Sequence, residues 1–153
     1  MTASAQIVRG GEGEKLQVLA DRIRILVGAE QTGAKYEVFE LTGHEGSGPP
    51  PHSHPWDEAY FMLDGEVDMF ISGTSCRARR GDFLLAPGGA THGFRIVSGS
   101  ARFLVLTSGS GGGKFFRAMD SEVGFPPASF EAVCAVAIRL GLTLSTESAT
   151  QKP

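Results

Sequence analysis

The sequence predicts an all-β domain, an antiparallel sandwich or barrel followed by short helices, and three observations support this fold class. Its 153 residues, 41% of them hydrophobic, suit one globular domain with a core of its own. Short apolar runs, rich in Val, Ile, Phe and Tyr and separated by Gly, Pro and Asp, fill residues 16–107. After Pro126, the apolar residues instead recur at helical spacing.

Eight strands are predicted in the β region, and turn signals separate many of them. The dipeptide Asp64-Gly65 predicts a tight hairpin between the two strands that flank it. The predicted strands cover residues 17–27, 35–42, 58–63, 66–72, 75–79, 82–86, 92–97 and 101–107. We therefore divide the chain into a flexible N-terminus (1–15), the barrel domain (16–108), a linker with a C-terminal helical segment (109–146) and a disordered tail (147–153).

The segment after the barrel predicts two helices. Residues 108–113, rich in Gly and Ser, predict a flexible connector, and residues 114–120 predict a short helix. A longer helix is expected after Pro126 and Pro127, with Ser129 as its N-cap. Its apolar stripe is expected to pack on the outside of the barrel or on a partner subunit, and comprises Phe130, Val133, Cys134, Ala137, Ile138 and Leu140.

Composition and charge exclude several classes of partner. The net charge of −3 gives no basic surface for nucleic acid, and the one basic cluster, Arg77 to Arg80, is interpreted as a solvated strand face. The first fifteen residues lack the apolar core of a signal peptide, and no apolar run reaches transmembrane length. We therefore expect a cytoplasmic protein that binds neither nucleic acid nor membrane.

Three of the four histidines and one glutamate stand at the spacing of metal ligands. Side chains at positions i and i+2 of an extended chain point to the same face, so His52 and His54 point together, and prolines 49–51 stiffen the chain before them. Glu58 opens the next strand with the same parity, and His92 opens a later one. If a barrel brings these strands together, imidazole and carboxylate groups can bind one divalent ion of Fe, Mn, Ni, Zn, Co or Cu.

Two stretches of the chain resemble the motifs of the cupin family. Residues 46–65, GSGPPPHSHPWDEAYFMLDG, resemble the first motif, and residues 81–96, GDFLLAPGGATHGFRI, resemble the second. The second motif departs at its end, where Ile96 stands in place of the family's Asn, which is not a ligand. The resemblance implies a jelly-roll barrel of the small single-domain, quercetin-dioxygenase-like kind, in which one divalent ion is bound by His52, His54, Glu58 and His92.

The expected pocket beside this ion is apolar. Its predicted wall favours a flat aromatic or otherwise apolar molecule with metal-binding oxygens, and consists of Tyr60, Met62, Phe70, Phe94 and Ile96. Glu58 has two expected roles, as a metal ligand or as a general base toward a substrate hydroxyl. Tyr60 is expected either to donate a proton or to pack.

Three functions are compatible with such a site. The first is a quercetinase-like dioxygenase, and the second is a redox-neutral enzyme such as a Zn-dependent polyketide cyclase or an isomerase. The third is a non-catalytic small-molecule-binding protein. Fold analogy with small cupins and the amphipathic C-terminal segment further suggest a homodimer.

Overall fold

The structure is a computed structural model that describes residues 4–145, so the tail expected at 147–153 lies outside the described residues. The helices are α1 (Ala29–Thr32), α2 (Gly111–Ala118), which continues into a π-helical turn (Met119–Val123), and α3 (Phe130–Arg139). The strands are β1 (Lys15–Val18), β2 (Asp21–Val27), β3 (Tyr36–His44), β4 (His52–Ser53), β5 (Glu58–Asp64), β6 (Val67–Ile71), β7 (Thr74–Ala78), β8 (Phe83–Ala86), β9 (His92–Ile96), β10 (Ser100–Ser108) and β11 (Thr143–Leu144).

The strands form two antiparallel sheets. The first has the order β1-β2-β3-β10-β5-β8, and the second has the order β11-β4-β9-β6-β7. The chain crosses between the sheets, as in a jelly roll, and alternate residues of both sheets point to a shared core. The predicted all-β barrel with short C-terminal helices is confirmed.

The core lies between the inner faces of the two sheets. In the first sheet, Phe39 on β3 is opposite Val105 on β10, and Leu41 is opposite Phe103. All four side chains are buried. The Phe103 ring meets Phe94 of the second sheet edge-on, with ring centroids 5.2 Å apart. This contact joins the two sheets beside the site described below.

The hairpin predicted at Asp64-Gly65 is wrong, because the two flanking strands lie in different sheets. β5 pairs with β10 and β8, whereas β6 pairs with β9 and β7. Gly65 has a φ of 80°, and a Cβ atom there would overlap Ser100 and Ala101. The turn therefore needs glycine because it carries the chain across the barrel close to another strand.

The single strand predicted over residues 17–27 is instead a hairpin of β1 and β2. Val18 is opposite Asp21, and the chain reverses through Leu19, whose φ of 52° lies in the left-handed region. No Gly, Pro or Asn marks this turn, so the continuous apolar run concealed it. Arg24 on β2 donates to the backbone carbonyls of Arg9 and Glu12, which lie in the segment before the hairpin.

The C-terminal segment differs from its prediction at both ends. α2 begins at Gly111, inside the expected connector, because Oε2 of the buried Glu37 accepts from the Gly113 N–H at 2.9 Å and so caps the helix. Ser129 caps α3 as predicted, accepting from the Ala132 N–H at 3.1 Å. After α3 the chain forms β11, which the sequence analysis missed. None of the helices within residues 4–145 has the length and apolar character needed to cross a membrane.

Candidate metal centre

Adjacent strands bring the histidines together. β4 lies between β9 and β11, and within this sheet His52 is directly opposite His92. The rings of His52 and His92 have centroids 4.5 Å apart, and those of His54 and His92 are 4.7 Å apart. All three side chains are buried. The expectation that an extended chain presents His52 and His54 to a strand that carries His92 therefore agrees with the geometry.

Glu58 reaches the same point from the other sheet. It begins β5, where it is opposite Thr107 of β10 and Ala86 of β8. Its Oε2 atom lies 2.7 Å from Nε2 of His54 and 3.0 Å from Nε2 of His92. One carboxylate oxygen thus faces two imidazole nitrogens in the interior between the sheets.

Backbone carbonyls determine which nitrogen of each imidazole faces the cluster. Nδ1 of His52, His54 and His92 lies 2.9 Å from a backbone oxygen in every case, and the acceptors are Pro50, Trp56 and Ala90. A carbonyl can only accept, so each Nδ1 carries a proton, and each ring in its neutral form presents the Nε2 lone pair to the cluster. A hydrogen bond from the far nitrogen of the ring to a backbone carbonyl is typical of metal-binding histidines.

The four side chains fit a divalent ion. One donor atom from each of them lies within 4.8 Å of all the others. Where the imidazoles are neutral, their Nε2 lone pairs would repel the Glu58 carboxylate that faces them, and either a proton on Nε2 or a cation between these groups removes that repulsion. The buried His52, His54, Glu58 and His92 cluster therefore fits a cupin metal site.

The charges of the site also favour a cation. Burial would raise the pKa of Glu58, but hydrogen bonds from His54 and His92 outweigh burial and hold that pKa below its usual value. Burial, together with the charge of His92, lowers the pKa of His52 to about 4. Burial would lower the pKa of His92, but its hydrogen bond to Glu58 raises it overall. At neutral pH the cluster thus combines an ionised carboxylate with a neutral His52.

Tyr60 lies beside the cluster, two residues along β5 from Glu58. Its ring is buried and has its centroid 6.4 Å from that of His92. Burial, followed by the charge of Glu58 and a hydrogen bond to it, raises the pKa of Tyr60 well above its usual value. The phenol therefore stays protonated and can act only as a neutral hydrogen-bond donor at physiological pH.

The cluster opens onto a cavity of about 560 Å³. His52, His54 and Glu58 contribute to its wall, and most of the remaining lining is apolar. This volume lies within the range of small-molecule sites. The barrel supplies one side, including Ile23, Leu41, Tyr60, Phe94 and Val105, and the C-terminal segment supplies the other, including Phe115, Phe116, Met119, Phe130, Val133, Ala137, Leu142 and Leu144.

α3 therefore lies over the opening of the barrel. Its apolar stripe was expected on the outside of the barrel or on a partner subunit, but Val133 and Ala137 line the cavity. Phe130 and Ile138 on the same helix are each 66% exposed. The difference arises because the barrel has an apolar interior that its own strands leave uncovered.

Only part of the predicted pocket wall lies at the cavity. Tyr60 and Phe94 line it, whereas Met62 and Ile96 are buried in the core, at 1% and 0% exposure. Phe70 is half-buried, and the alternation of β6 instead points Met69 and Val67 inward. Trp56 was not among the predicted pocket residues, although it lies inside the first motif, and the fourth histidine, His44, is exposed.

The fold and the ligand cluster point to one class of protein. Residues 38–107 match the cupin domain family, and this match together with the fold supports a small protein of the cupin superfamily. Over 102 residues it is 28% identical to quercetin 2,3-dioxygenase from Bacillus subtilis (strain 168), a match that covers 66% of this chain and 30% of that relative. The chain thus spans less than a third of the length of this curated relative.

Solved structures show the same fold. KdgF from Halomonas sp. superimposes with a TM-score of 0.63 at 18% identity, covering 69% of this chain and 94% of that one. The polyketide cyclase RemF from Streptomyces resistomycificus gives a TM-score of 0.60 at 19% identity, covering 69% of this chain and 80% of that one. At these identities the similarity concerns the fold alone.

Proposed function

We propose that this protein is a mononuclear metal-dependent cupin enzyme of the quercetinase type, acting on a small aromatic or apolar molecule that carries metal-binding oxygens. One observation carries the proposal: three imidazoles and a carboxylate converge, and His52, His54 and Glu58 of this cluster line a mostly apolar cavity of about 560 Å³. The partial match to quercetin 2,3-dioxygenase supports the oxidative form of the reaction.

The side chains have distinct roles in this proposal. His52, His54, His92 and Glu58 would hold one divalent transition-metal ion of Fe, Mn, Ni, Zn, Co or Cu, which when bound would supply Lewis acidity and, if redox-active, reactivity toward O₂. The apolar walls bind the flat part of the substrate and exclude water. Tyr60 donates a hydrogen bond toward Glu58 and keeps its proton, for the reasons given above.

Glu58 either remains a ligand or acts as general base toward a substrate hydroxyl. Its lowered pKa keeps it ionised, so it can accept a proton. The substitution Glu58→Gln keeps the shape and removes the charge. If the Glu58→Gln variant keeps its metal but loses activity, Glu58 is the base. If the variant loses the metal, Glu58 is an essential ligand. Elemental analysis beside a turnover assay distinguishes the two roles.

Oxygen consumption tests the oxidative reaction directly. Protein loaded separately with each candidate metal is mixed with a panel of flavonols, and dissolved O₂ is followed with an electrode. The proposal predicts flavonol-dependent uptake that disappears in His52→Ala. Full occupancy by zinc in protein purified without a His-tag, with no uptake under any metal, contradicts the dioxygenase assignment.

A redox-neutral reaction is the second candidate, and the Glu58–Tyr60 pair favours it. An ionised carboxylate that can take a proton from a substrate lies beside a phenol that keeps its own proton and hydrogen-bonds to the carboxylate. Such a pair would serve a Zn-dependent polyketide cyclase or an isomerase without O₂. Turnover under anaerobic conditions with zinc-loaded protein supports this candidate. A barrel packed shut beside the cluster would favour a non-catalytic protein, and the cavity of about 560 Å³ removes that argument.

We also propose that the protein is a homodimer. Phe83 and Leu85 on β8, an edge strand of the first sheet, are 62% and 53% exposed, and Phe83 is opposite the 38% exposed Phe61. An exposed apolar edge of this kind is suited to pairing with a second copy of the chain. Light scattering should give the mass of a dimer, and Phe83→Glu should give a monomer. A wild-type monomer contradicts this proposal.

A further inference from the structure

We propose that Trp56 is a positioning residue that fixes the imidazole of His54, and that α2 holds Trp56 in place through Gly111. This inference rests on the proposed metal site, because the position of His54 matters functionally only where its Nε2 binds an ion. It adds a connection between the cavity cover and one metal ligand.

His54 is held differently from the other two histidines. All three donate from Nδ1 to a backbone carbonyl. Among the three histidines, and within residues 4–145, only His54 also lies in a parallel stack. Its ring centroid is 4.2 Å from that of Trp56, and the two ring planes are 8° from parallel. The nearest ring contact of His52 is tilted by 52°. The Nδ1 bond fixes one atom of an imidazole, and the stack additionally fixes its plane.

Trp56 makes both of these contacts with His54. Its backbone oxygen accepts from Nδ1 at 2.9 Å, and its indole ring stacks on the imidazole. A displacement of Trp56 therefore moves the acceptor and the stacking surface at once. Because the Nε2 atom of His54 lies 2.7 Å from Glu58, a small rotation of the ring changes the ligand geometry.

Gly111 places the first turn of α2 against the indole. A Cβ atom at this position would overlap three atoms of Trp56, namely Cε3, Cζ3 and Cδ2. The backbone of α2 can reach the indole only because residue 111 has no side chain. Any larger residue must displace Trp56, α2 or both.

Other bonds hold both partners of this contact. Ser108, just before α2, donates its N–H to the Asp57 carbonyl at 3.1 Å, and its hydroxyl accepts from the Asp57 N–H at 2.9 Å. The buried Glu37 accepts from Gly113 at 2.9 Å and from the Thr107 hydroxyl at 3.2 Å. The loop that carries Trp56 and the start of α2 are thus tied to the same end of β10.

This arrangement connects the cavity to the metal ligand. α2 also contributes Phe115 and Phe116 to the cavity wall, and Trp56 lines the same cavity. A molecule in the cavity therefore contacts the elements that orient His54. If Trp56 were only a wall or packing residue, its loss would lower stability without changing how the site binds an ion.

The test compares Co²⁺ binding among variants of the full chain. The variants are Trp56→Phe, Trp56→Ala and Gly111→Ala, with Gly99→Ala as the matched control, because a Cβ at Gly99 has nothing within 4 Å. Three quantities are measured for each protein: the Co²⁺ dissociation constant, the visible absorption spectrum of bound Co²⁺, and the melting temperature without metal. The spectrum depends on ligand geometry, so a purely structural role would not change it.

The expected effects follow the loss of ring contact. Trp56→Ala should weaken Co²⁺ binding by about 10- to 100-fold, the usual cost of removing a group that orients a metal ligand, and Trp56→Phe should retain most of the affinity. Gly111→Ala, which leaves every ligand and Trp56 in the sequence, should weaken binding by about tenfold and shift the Co²⁺ spectrum. Gly99→Ala should match the wild type in all three measurements.

Two results contradict different parts of the account. If the wild type binds Co²⁺ in a His52-dependent manner, while Trp56→Ala and Gly111→Ala keep its affinity and spectrum, the positioning role is overturned and the metal site stands. If the wild type and His52→Ala bind Co²⁺ equally, the metal site itself fails. Should Trp56→Ala not fold, Gly111→Ala beside its control Gly99→Ala still decides the question.

Discussion

The barrel and its cover contribute different things to the same site. The barrel presents all four candidate ligands and buries them: His52, Glu58 and His92 lie on strands, with His52 opposite His92, and His54 directly follows β4. The cover, formed by α2, the π-helical turn, α3 and β11, presents none of these ligands and supplies much of the apolar cavity wall. The barrel therefore determines which ion can bind, and the cover determines which molecule fits beside it.

The contact between the two regions is close. β11 extends the second sheet beside β4, so that Leu144 is opposite His52 itself. α2 reaches the loop after β4, where Trp56 stacks on His54. Changes confined to the cover should therefore act mainly on small-molecule binding. At these two contacts they should also alter metal binding.

The largest expected effect comes from removing a barrel ligand. His52→Ala should lose nearly all bound metal, because His52 supplies one of four donor atoms and its carbonyl-bonded imidazole has no replacement among the site's described residues. Elemental analysis of protein purified without a His-tag measures the loss. His44→Ala is the matched control, because His44 is exposed, and it should keep the wild-type metal content. Equal metal content in His52→Ala and His44→Ala would contradict the assignment of His52 as a metal ligand.

The next effect concerns stability. Phe103→Ala in the fully buried barrel core should lower the free energy of unfolding by about 3–5 kcal/mol, because it removes a ring and leaves a cavity. Ile138→Ala on the exposed face of α3 should change it by less than about 0.5 kcal/mol. Urea unfolding followed by circular dichroism compares the two. A similar loss in the free energy of unfolding for Phe103→Ala and Ile138→Ala would mean that the cover is as tightly packed as the barrel.

A change in the cover should separate small-molecule binding from metal binding. Ala137→Phe adds a ring at a buried position that lines the cavity, and should weaken flavonol binding by about tenfold while the metal content stays unchanged. Ile138→Phe adds the same ring at the neighbouring exposed position and should have no effect. Absorbance titration with quercetin measures both. Loss of metal in Ala137→Phe would contradict the division between the two regions.

The last and most gradual effect is the pH dependence of metal affinity. Metal binding needs neutral imidazoles, and the pKa of His92 is raised in the metal-free protein by Glu58. Affinity should therefore be constant above the raised pKa of His92 and fall as pH drops through it, by up to about tenfold per pH unit for one displaced proton. His52, with a pKa of about 4, should add to the loss only in stronger acid. A Co²⁺ affinity that does not change between pH 8 and pH 5 would contradict this.

The ligand cluster was predictable from the sequence because it depends on short-range rules. The i and i+2 spacing of His52 and His54 places both side chains on one face of an extended chain. The same alternation places Glu58 and Tyr60 on one face of β5. The pocket wall was harder to predict, because parity says which face a residue occupies but not how deep it lies. Met62 and Ile96 are inward as expected, yet they are buried in the core.

Features that depend on distant contacts left no signal in the sequence. The start of α2 needs Glu37, which lies far from it along the chain and caps it only in the fold. The turn at Leu19 has a left-handed φ at a residue that rarely adopts it. The pairing of Leu144 with His52 joins the C-terminal segment to the first motif. No local pattern encodes such contacts.

Anomalous diffraction at the metal edge, from crystals grown with one divalent ion, tests the central claim most directly. The account predicts one strong peak per chain, within about 2.0–2.3 Å of the Nε2 atoms of His52, His54 and His92 and facing the Glu58 carboxylate. A peak at another set of side chains, with none among these four, would contradict it.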